Sequence, residues 1–420
     1  MTAQSAADLN SRARLRVLAI CPYAPYPPFG GGKMRIYHLL QEWMKLGHEV
    51  TVAVSGPADT KLDWSEGDVA PELIMLPGRV RGSVISKVSG LLSPLPDEVW
   101  ARPLWHGDEA LGLPARFDIV VLMQAHVGQH AAPFLKSGVP VILDQQNVES
   151  HISTEVARLR WTRMGRARAR LDTRKWRAYE RSLLRKVQRT VAVSEADAQD
   201  FRNVAPSASV VVRPSGADLR SVQYVDHSEN RADSLLMTGT LGYLPNLDAA
   251  VWMIERILPR VRLSRPSAHL VLVGSSAPAS LKERGGDAVD VVGQVPDVRP
   301  FLDQADLFVA PLRAGGGTRL KLLEAFAAGL PTVATTIASS GITVRHGIDV
   351  ATADDEETFA NAILRMLEDV AGRRAMAESA RRLVQEHYDW RAIAADYEAD
   401  LYEVVAGAPA GSSRSIVPVD

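Results

Sequence analysis

Pro311-Leu-Arg-Ala-Gly-Gly-Gly-Thr-Arg-Leu-Lys-Leu-Leu-Glu324 runs on to Gly329-Leu-Pro-Thr-Val-Ala-Thr335. Before it, Asp306-Leu-Phe-Val-Ala-Pro311 reads as a buried strand. Gly315, Gly316 and Gly317 then make a loop where backbone can approach a ligand closely. Thr318 is the expected N-cap of a helix over Arg319 to Ala328, with Leu320, Leu323 and Ala327 at helical spacing. Gly329 stops that helix, and Pro331 to Thr335 begins the next strand. A glycine loop that follows a parallel strand and opens a helix is an anion site, because free N–H groups and the positive end of the helix dipole face the ligand. Lys321 and Glu324, three apart, share one face of the helix. A cation beside a phosphate and a carboxylate able to accept from ribose hydroxyls are what a nucleotide sugar requires. The plainer reading is a surface Lys–Glu pair after an ordinary turn.

Around this stretch the chain has 420 residues, which suits two domains rather than one core. A formal charge of −1 gives no global attraction to nucleic acid or anionic membrane. The single cysteine, Cys21, excludes an internal disulfide framework. No segment reaches about 18 consecutive apolar residues, and no signal peptide is visible, so a cytoplasmic location is expected.

The first half opens with Leu15-Arg-Val-Leu-Ala-Ile-Cys-Pro22, a short buried strand. Pro25-Tyr-Pro-Pro-Phe-Gly-Gly-Gly32 follows, then a helix from about Lys33 to Leu46 and a strand over His48 to Val54. That is the start of a doubly wound domain, although the loop lacks a full G-x-G-x-x-G. Lys33 and Arg35 at the start of the helix are either a solvated face or part of a second phosphate-facing loop. Phe117 to Met123 is another strand, and His126 lies just past its carboxyl end, where open α/β sheets place ligands. A hydrogen-bonded turn histidine is the alternative. Val139 to Asp144 leads into Gln145-Gln-Asn-Val-Glu-Ser150, in which Asn147 and Glu149 either line a ligand site or cap the next helix. Residues 158–189 carry thirteen Lys/Arg against two acids, with Trp176 and Tyr179 among them. A solvated helix packing its aromatics on its own domain is one reading, and a peripheral contact with an anionic membrane is the other. No nucleic-acid partner is expected.

The second half repeats the grammar after a polar linker. Ser234 to Leu241 is a strand, and Gly242-Tyr-Leu-Pro-Asn-Leu-Asp248 opens a helix. His269 to Gly274 and Val289 to Val295 are further strands. Asp354-Asp-Glu-Glu357 precedes a helical pattern, so helix-terminal acids explain it better than a metal site does. No metal and no cofactor are expected.

Glu324-Ala-Phe-Ala-Ala-Gly-Leu-Pro-Thr-Val-Ala-Thr335 resembles the donor-binding helix of the retaining GT-B glycosyltransferases, the glycosyl transferases group 1 family (family 4). There the pattern is E-x7-E, a small-residue run and Gly-x-Pro-Val-Val-Ala-Thr. A subgroup linked to exopolysaccharide synthesis carries a similar Pro-Tyr-Pro-Pro, Gly, Arg, His-Leu-Leu order, matched here through Arg35 and His38-Leu-Leu40. The resemblance extends from about residue 15 to about 403. It implies an α/β fold of the GT-B type, two Rossmann-like doubly wound domains facing across a cleft. The expected divisions are a flexible N-terminus (1–14), an acceptor-side domain (15–220), a linker (221–233) and a nucleotide-sugar-binding domain (234–385). A last helix crossing back to the first domain (386–405) and a disordered tail (406–420) complete them.

The activity implied is metal-independent transfer of a sugar, with retention, from a nucleotide-diphosphate sugar to an acceptor hydroxyl. The acceptor is a glycan, a lipid-linked molecule or a small natural product, and the location is the cytoplasm or the inner face of the membrane. The donor-binding residues expected from the residues and the resemblance together are Gly31, Gly32, Arg35, Gly239, Asn246, Gly315, Gly316, Gly317, Thr318, Arg319, Lys321 and Glu324. His126 would border the transferred sugar as the catalytic candidate, and Asn147 and Glu149 would lie on the acceptor side. Two departures stand out. Gly316 replaces the family's first Glu, and Gly239-Thr-Leu-Gly-Tyr-Leu-Pro-Asn246 lacks the Arg and Lys that usually neutralise the donor diphosphate. Arg319, Lys321 or Arg35 is expected to supply that charge. A nucleotide-sugar 2-epimerase or an inactive binding module of the same fold are the alternatives.

Overall fold

The computed structural model describes residues 13–28, 30–55, 64, 68–76, 93–100, 113–158, 162–227, 233–314 and 319–408. The chain forms two compact units. One holds the residues up to Pro28, Gly32–Arg213 and those from Ala394 onward; the other holds Phe29–Gly31 and Pro214–Ile393.

Among the described residues, the first unit contains one seven-stranded sheet. Its strands are β1 (Arg16–Cys21), β2 (Glu49–Ser55), β3 (Glu72–Leu76), β4 (Ile119–Met123), β5 (Val141–Gln145), β6 (Arg189–Ala192) and β7 (Val210–Val212). The spatial order is β3-β2-β1-β4-β5-β6-β7, and every pair is parallel. In the middle of the sheet Val17 pairs with both Val50 and Ile119. Every residue of β4 and β5 is buried, which their Val/Ile/Leu runs require when helices cover both faces. Helix α1 (Gly31–Lys45) buries Ile36, Leu39, Leu40 and Trp43 at helical spacing. Helices α2 (Glu149–Arg158) and α3 (Arg163–Leu184) pack on each other.

The second unit holds a six-stranded parallel sheet among the described residues. Its strands are β8 (Ser234–Thr238), β9 (His269–Val273), β10 (Val289–Gly293), β11 (Leu307–Ala310), β12 (Thr332–Ala334) and β13 (Ala351–Thr352). They lie in the order β10-β9-β8-β11-β12-β13. Helices α4 (Leu244–Trp252), α5 (Leu320–Ala328), α6 (Glu356–Glu368) and α7 (Val370–His387) belong to this unit, with α5 packed on α7. The acid run at 354–357 is a helix cap: Asp355 Oδ1 accepts from the backbone N–H of Glu357 (3.0 Å) and Thr358 (2.9 Å). A last helix, α8 (Trp390–Ala406), belongs to the first unit from Ala394 on. There Asp400 pairs with Arg189 (2.7 Å) and Arg213 (2.8 Å), and Glu398 meets His48 at 2.9 Å.

The expected strands agree with the observed ones to within a residue or two at most ends. The sequence also marks strands over Thr190 to Ser194 and Ser209 to Arg213, found as β6 and β7, whereas β3 and β13 were not expected. β13 has only two residues, too few to leave a period.

Each sheet has one place where the winding reverses: between β1 and β4 in the first unit, and between β8 and β11 in the second. Ligands of doubly wound sheets bind beyond the carboxyl ends of the strands at that switch point. The segments that follow β8 and β11 begin at Gly239 and Pro311; those that follow β1 and β4 begin at Pro22 and Gln124. Both motif-bearing loops therefore sit where the topology places ligands.

Candidate functional site

At the switch point of the second unit, Gly239 leaves β8 with φ +140°, a conformation side chains rarely adopt. A methyl there would sit 2.8 Å from Lys321 Nζ and 3.0 Å from Asn246 Nδ2, so glycine is what lets those two side chains approach the backbone. Gly274, at φ +156°, leaves β9 against the Gly239 carbonyl, where any Cβ would collide with that oxygen. Asn246, in the first turn of α4, donates through Nδ2 to the Thr240 carbonyl at 2.9 Å. Its Oδ1 accepts from Lys321 Nζ at 2.8 Å. Gly239, Asn246 and Lys321 are thus brought together, although Lys321 lies 75 positions beyond Asn246.

Lys321 and Glu324 stand on the first turns of α5, each partly exposed. The surrounding protein still weighs heavily on their charge. Burial pushes the Lys321 ammonium down to about 7, and the Arg319 charge adds to this while Glu324 opposes it. Burial pushes the Glu324 carboxyl up to about 7, against the pull of Lys321. Among the described residues nothing hydrogen-bonds or ion-pairs with the Glu324 carboxylate. Arg319, and not Thr318, occupies the N-cap position of α5, with no side-chain cap bond. Gly315, Gly316, Gly317 and Thr318 lie outside the described residues. At the far end Gly329 adopts φ +77° as the helix stop, where a Cβ would run into the Tyr224 ring.

Gly31 and Gly32 open α1, which belongs to the first unit from Gly32 on. A side chain at Gly32 would run into the Tyr23 hydroxyl, and the Gly32 carbonyl accepts from Gln146 Nε2 at 3.2 Å. Gln124, directly after β4, has φ +85°, unusual for a non-glycine residue, and its Nε2 donates to the Tyr23 hydroxyl at 2.9 Å. This ties the β1 and β4 loops together at the switch point.

Arg35 does not face that loop. Its guanidinium is fully buried and grips Asp144 at the end of β5, Nε to Oδ1 at 2.9 Å and Nη2 to Oδ2 at 2.7 Å. Turning it toward a phosphate would strand a buried carboxylate without its partner, so the expectation that Arg35 supplies diphosphate charge is corrected.

His126 stands in the helical turn after β4, buried, with its ring edge on Trp176 at a centroid distance of 5.1 Å. Its Nε2 lies 2.9 Å from Glu98 Oε2, and its Nδ1 faces Glu149 Oε1 at 3.9 Å. Burial pushes the Glu149 carboxyl up to about 7; His126 opposes, and Glu180 adds to the rise. Glu149 is the first residue of α2, and Glu180 of α3 caps that helix by accepting from the N–H of Glu149 (2.7 Å) and Ser150 (3.2 Å). Asn147 is partly exposed, and its carbonyl accepts from Gln145 Nε2 at 3.2 Å, while Gln145 Oε1 takes the Ala125 N–H at 2.6 Å. His126, Asn147 and Glu149 therefore form one group, to which the structure adds Glu98, Gln145 and Glu180. The signal for Glu180 was visible: one of two acids inside a run of thirteen cations. Nothing local marked Glu98.

Two doubly wound α/β units, each with glycine-dependent loops at its switch point, define the GT-B class of fold. Two family models match the chain: Glycosyltransferase Family 4 over residues 29–221 and Glycosyl transferases group 1 over residues 232–369. The chain belongs to the family 4 glycosyltransferases. It is 24% identical over 410 residues to the phosphatidyl-myo-inositol mannosyltransferase of Mycolicibacterium smegmatis, covering 94% of this chain and 95% of that one. An uncharacterized 44.6 kDa protein in the cps region of Klebsiella pneumoniae is 26% identical over 169 residues, 38% of this chain and 44% of that protein. Among solved structures, the sucrose-phosphate synthase of Thermosynechococcus elongatus superposes with a TM-score of 0.72 at 17% identity, covering 94% of this chain and all 100% of that one. An Anabaena protein crystallised with UDP and glucose gives 0.65 at 14% identity over 93% of this chain and 100% of its own.

Proposed function

We propose that this glycosyltransferase takes its sugar from a nucleotide-diphosphate sugar held by the second unit. The observation that carries the reading is the Gly239–Asn246–Lys321 constellation at the β8/β11 switch point: an ammonium drawn over a glycine backbone, with an amide beside it. Lys321 stands in for the Arg and Lys that the loop after β8 lacks. Its desolvated charge gains most when a diphosphate arrives, and such a donor is worth about 3–4 kcal/mol to the departing group. Glu324, one turn further on, accepts from ribose hydroxyls.

In the reaction the bond from the anomeric carbon to the diphosphate oxygen breaks and a bond from the acceptor hydroxyl oxygen forms, with retention and without a metal. The proton of the acceptor hydroxyl passes to the leaving diphosphate. His126 meets the transferred sugar, and Asn147 and Glu149 serve the acceptor side. The Anabaena structure with UDP supports a nucleoside diphosphate as leaving group. The mannosyltransferase relative and the cps-region relative support a lipid-linked or polysaccharide acceptor.

The test is hydrolysis and binding of UDP-, GDP-, ADP- and dTDP-sugars by the purified protein without acceptor, beside Glu324→Gln. One donor bound and slowly hydrolysed, with both weakened in the variant, is the expected result. Failure to bind any nucleotide sugar would refute the reading. Interconversion of the sugar without an acceptor would replace it by an epimerase.

A further inference from the structure

We propose that the exposed side of α3 is a seat for an anionic phospholipid surface. The helix has 22 residues, so it is a rod of about 33 Å. One side is buried on its own unit through Thr173, Trp176, Glu180, Leu183 and Leu184. On the other side Arg163, Arg170, Arg174, Arg177 and Arg181 are exposed, continued by Arg185 at the helix end. At about 100° per residue these six lie within about 40° of a common line. They form a straight cationic stripe.

The described residues do not neutralise the stripe. Arg168, off the line, pairs with Asp97 at 2.7 Å. Among the described residues none of the six has an ion-pair partner; Arg181 donates to the Val204 carbonyl at 3.2 Å. Like charges at helical spacing repel one another, so the row works against the helix unless an anionic surface offsets it. The whole chain carries only −1, and the cations are therefore collected on one side rather than spread by a basic composition.

Two features select a bilayer over a nucleic acid. Trp176 is buried and Tyr179 donates its hydroxyl to the Ala125 carbonyl, so the aromatics of this helix point inward and offer no stacking platform for bases. Beside the stripe, Met164 is 84% exposed and Leu171 39% exposed. Apolar side chains next to arginines suit the boundary between headgroups and acyl chains, where an amphipathic helix lies in the plane. Among the described residues no helix is long and apolar enough to cross a membrane, and the contact is peripheral. None of these residues belongs to the donor or acceptor groups described above.

The full-length protein should co-sediment with vesicles of phosphatidylcholine mixed with phosphatidylglycerol, and not with phosphatidylcholine alone. Salt should release it. Each arginine is worth about fivefold in partitioning, so Arg170→Ala/Arg174→Ala/Arg177→Ala should weaken binding by about a hundredfold. Its circular dichroism and donor affinity should stay unchanged. Leu171→Ser should weaken binding by less. Equal binding to neutral vesicles, an unchanged triple variant, or an oligonucleotide bound more tightly than the mixed vesicles would each overturn the assignment.

Discussion

Replacing Lys321 with methionine keeps the length of the side chain and removes its charge, and the structure gives opposite signs for stability and donor affinity. The ammonium has one bond among the described residues, to Asn246 Oδ1 at 2.8 Å. Losing a bond to a charged group costs about 1.5–3 kcal/mol. Against that, the burial that holds the lysine at about 7 disfavours its charged form in the folded protein. Between about 7 and the ordinary lysine value the unfolded chain binds more protons than the folded one. The lysine therefore lets stability rise with pH across that window and weighs on the fold most fully below about 7. At pH 6, where the burial penalty on the ammonium is present in full, Lys321→Met should be at least as stable as the parent.

Donor affinity has no such compensation. A charge-assisted contact with a diphosphate is worth about 2–3 kcal/mol, so the variant should bind about 30- to 150-fold more weakly. Binding should also take up a proton. At pH 8 the free lysine is mostly neutral and Glu324 mostly ionised, so uptake should approach one proton per donor; near pH 7 ionisation of Glu324 releases a comparable fraction, and net uptake should fall toward zero. Calorimetry of donor binding in two buffers of different ionisation enthalpy measures this directly. Unchanged affinity and unchanged proton uptake in Lys321→Met would refute the role of the lysine. A variant unfolded at pH 6 would show instead that it is a structural strut.

Three further outcomes are expected. Asp144→Asn should destabilise the first unit by about 3–5 kcal/mol in urea unfolding, because it leaves the Arg35 guanidinium buried without its carboxylate, while Arg35→Met/Asp144→Leu should recover much of the loss. Gly239→Ala should impair donor binding by at least as much as Lys321→Met, since its methyl would displace the ammonium from a strained backbone position; a variant that still binds normally would count against the constellation. Glu149, raised to about 7 by burial, favours the fold fully below the ordinary glutamate value and loses that contribution as pH rises through about 7. Glu149→Gln should therefore match the parent in thermal midpoint near pH 4 and exceed it at pH 8, and parallel pH profiles would contradict the assignment.

What could be read in the chain beforehand follows from the range of each interaction. β1, β4 and β5 were legible because a strand covered on both faces must be apolar at nearly every position, a local property. The stop at Gly329 was legible because a left-handed residue after a helix is a local demand. Arg35 was misread for a physical reason: a phosphate and a carboxylate look alike to a guanidinium. Its real partner stands 109 positions away at the end of β5. Glu98, against His126, escaped notice in the same way, as an acid in a loop with no period around it.

The two ends of Arg35 and Lys321 also explain why one cation is structural and the other remains a candidate for chemistry. Both follow a glycine-rich loop at a switch point, and sequence spacing does not separate them. The structure does, through what meets the charge. Arg35 has a two-point carboxylate in a site without solvent, an arrangement that is complete and costly to open. Lys321 has a neutral amide and a carboxyl that is itself pushed up to about 7. Near neutral pH both members of the Lys321–Glu324 pair are therefore close to their midpoints, and the protein bears the desolvation of each without the full attraction between them. A fold does not gain from that arrangement. A ligand bearing both a diphosphate and a ribose does, because it charges the lysine and the glutamate together.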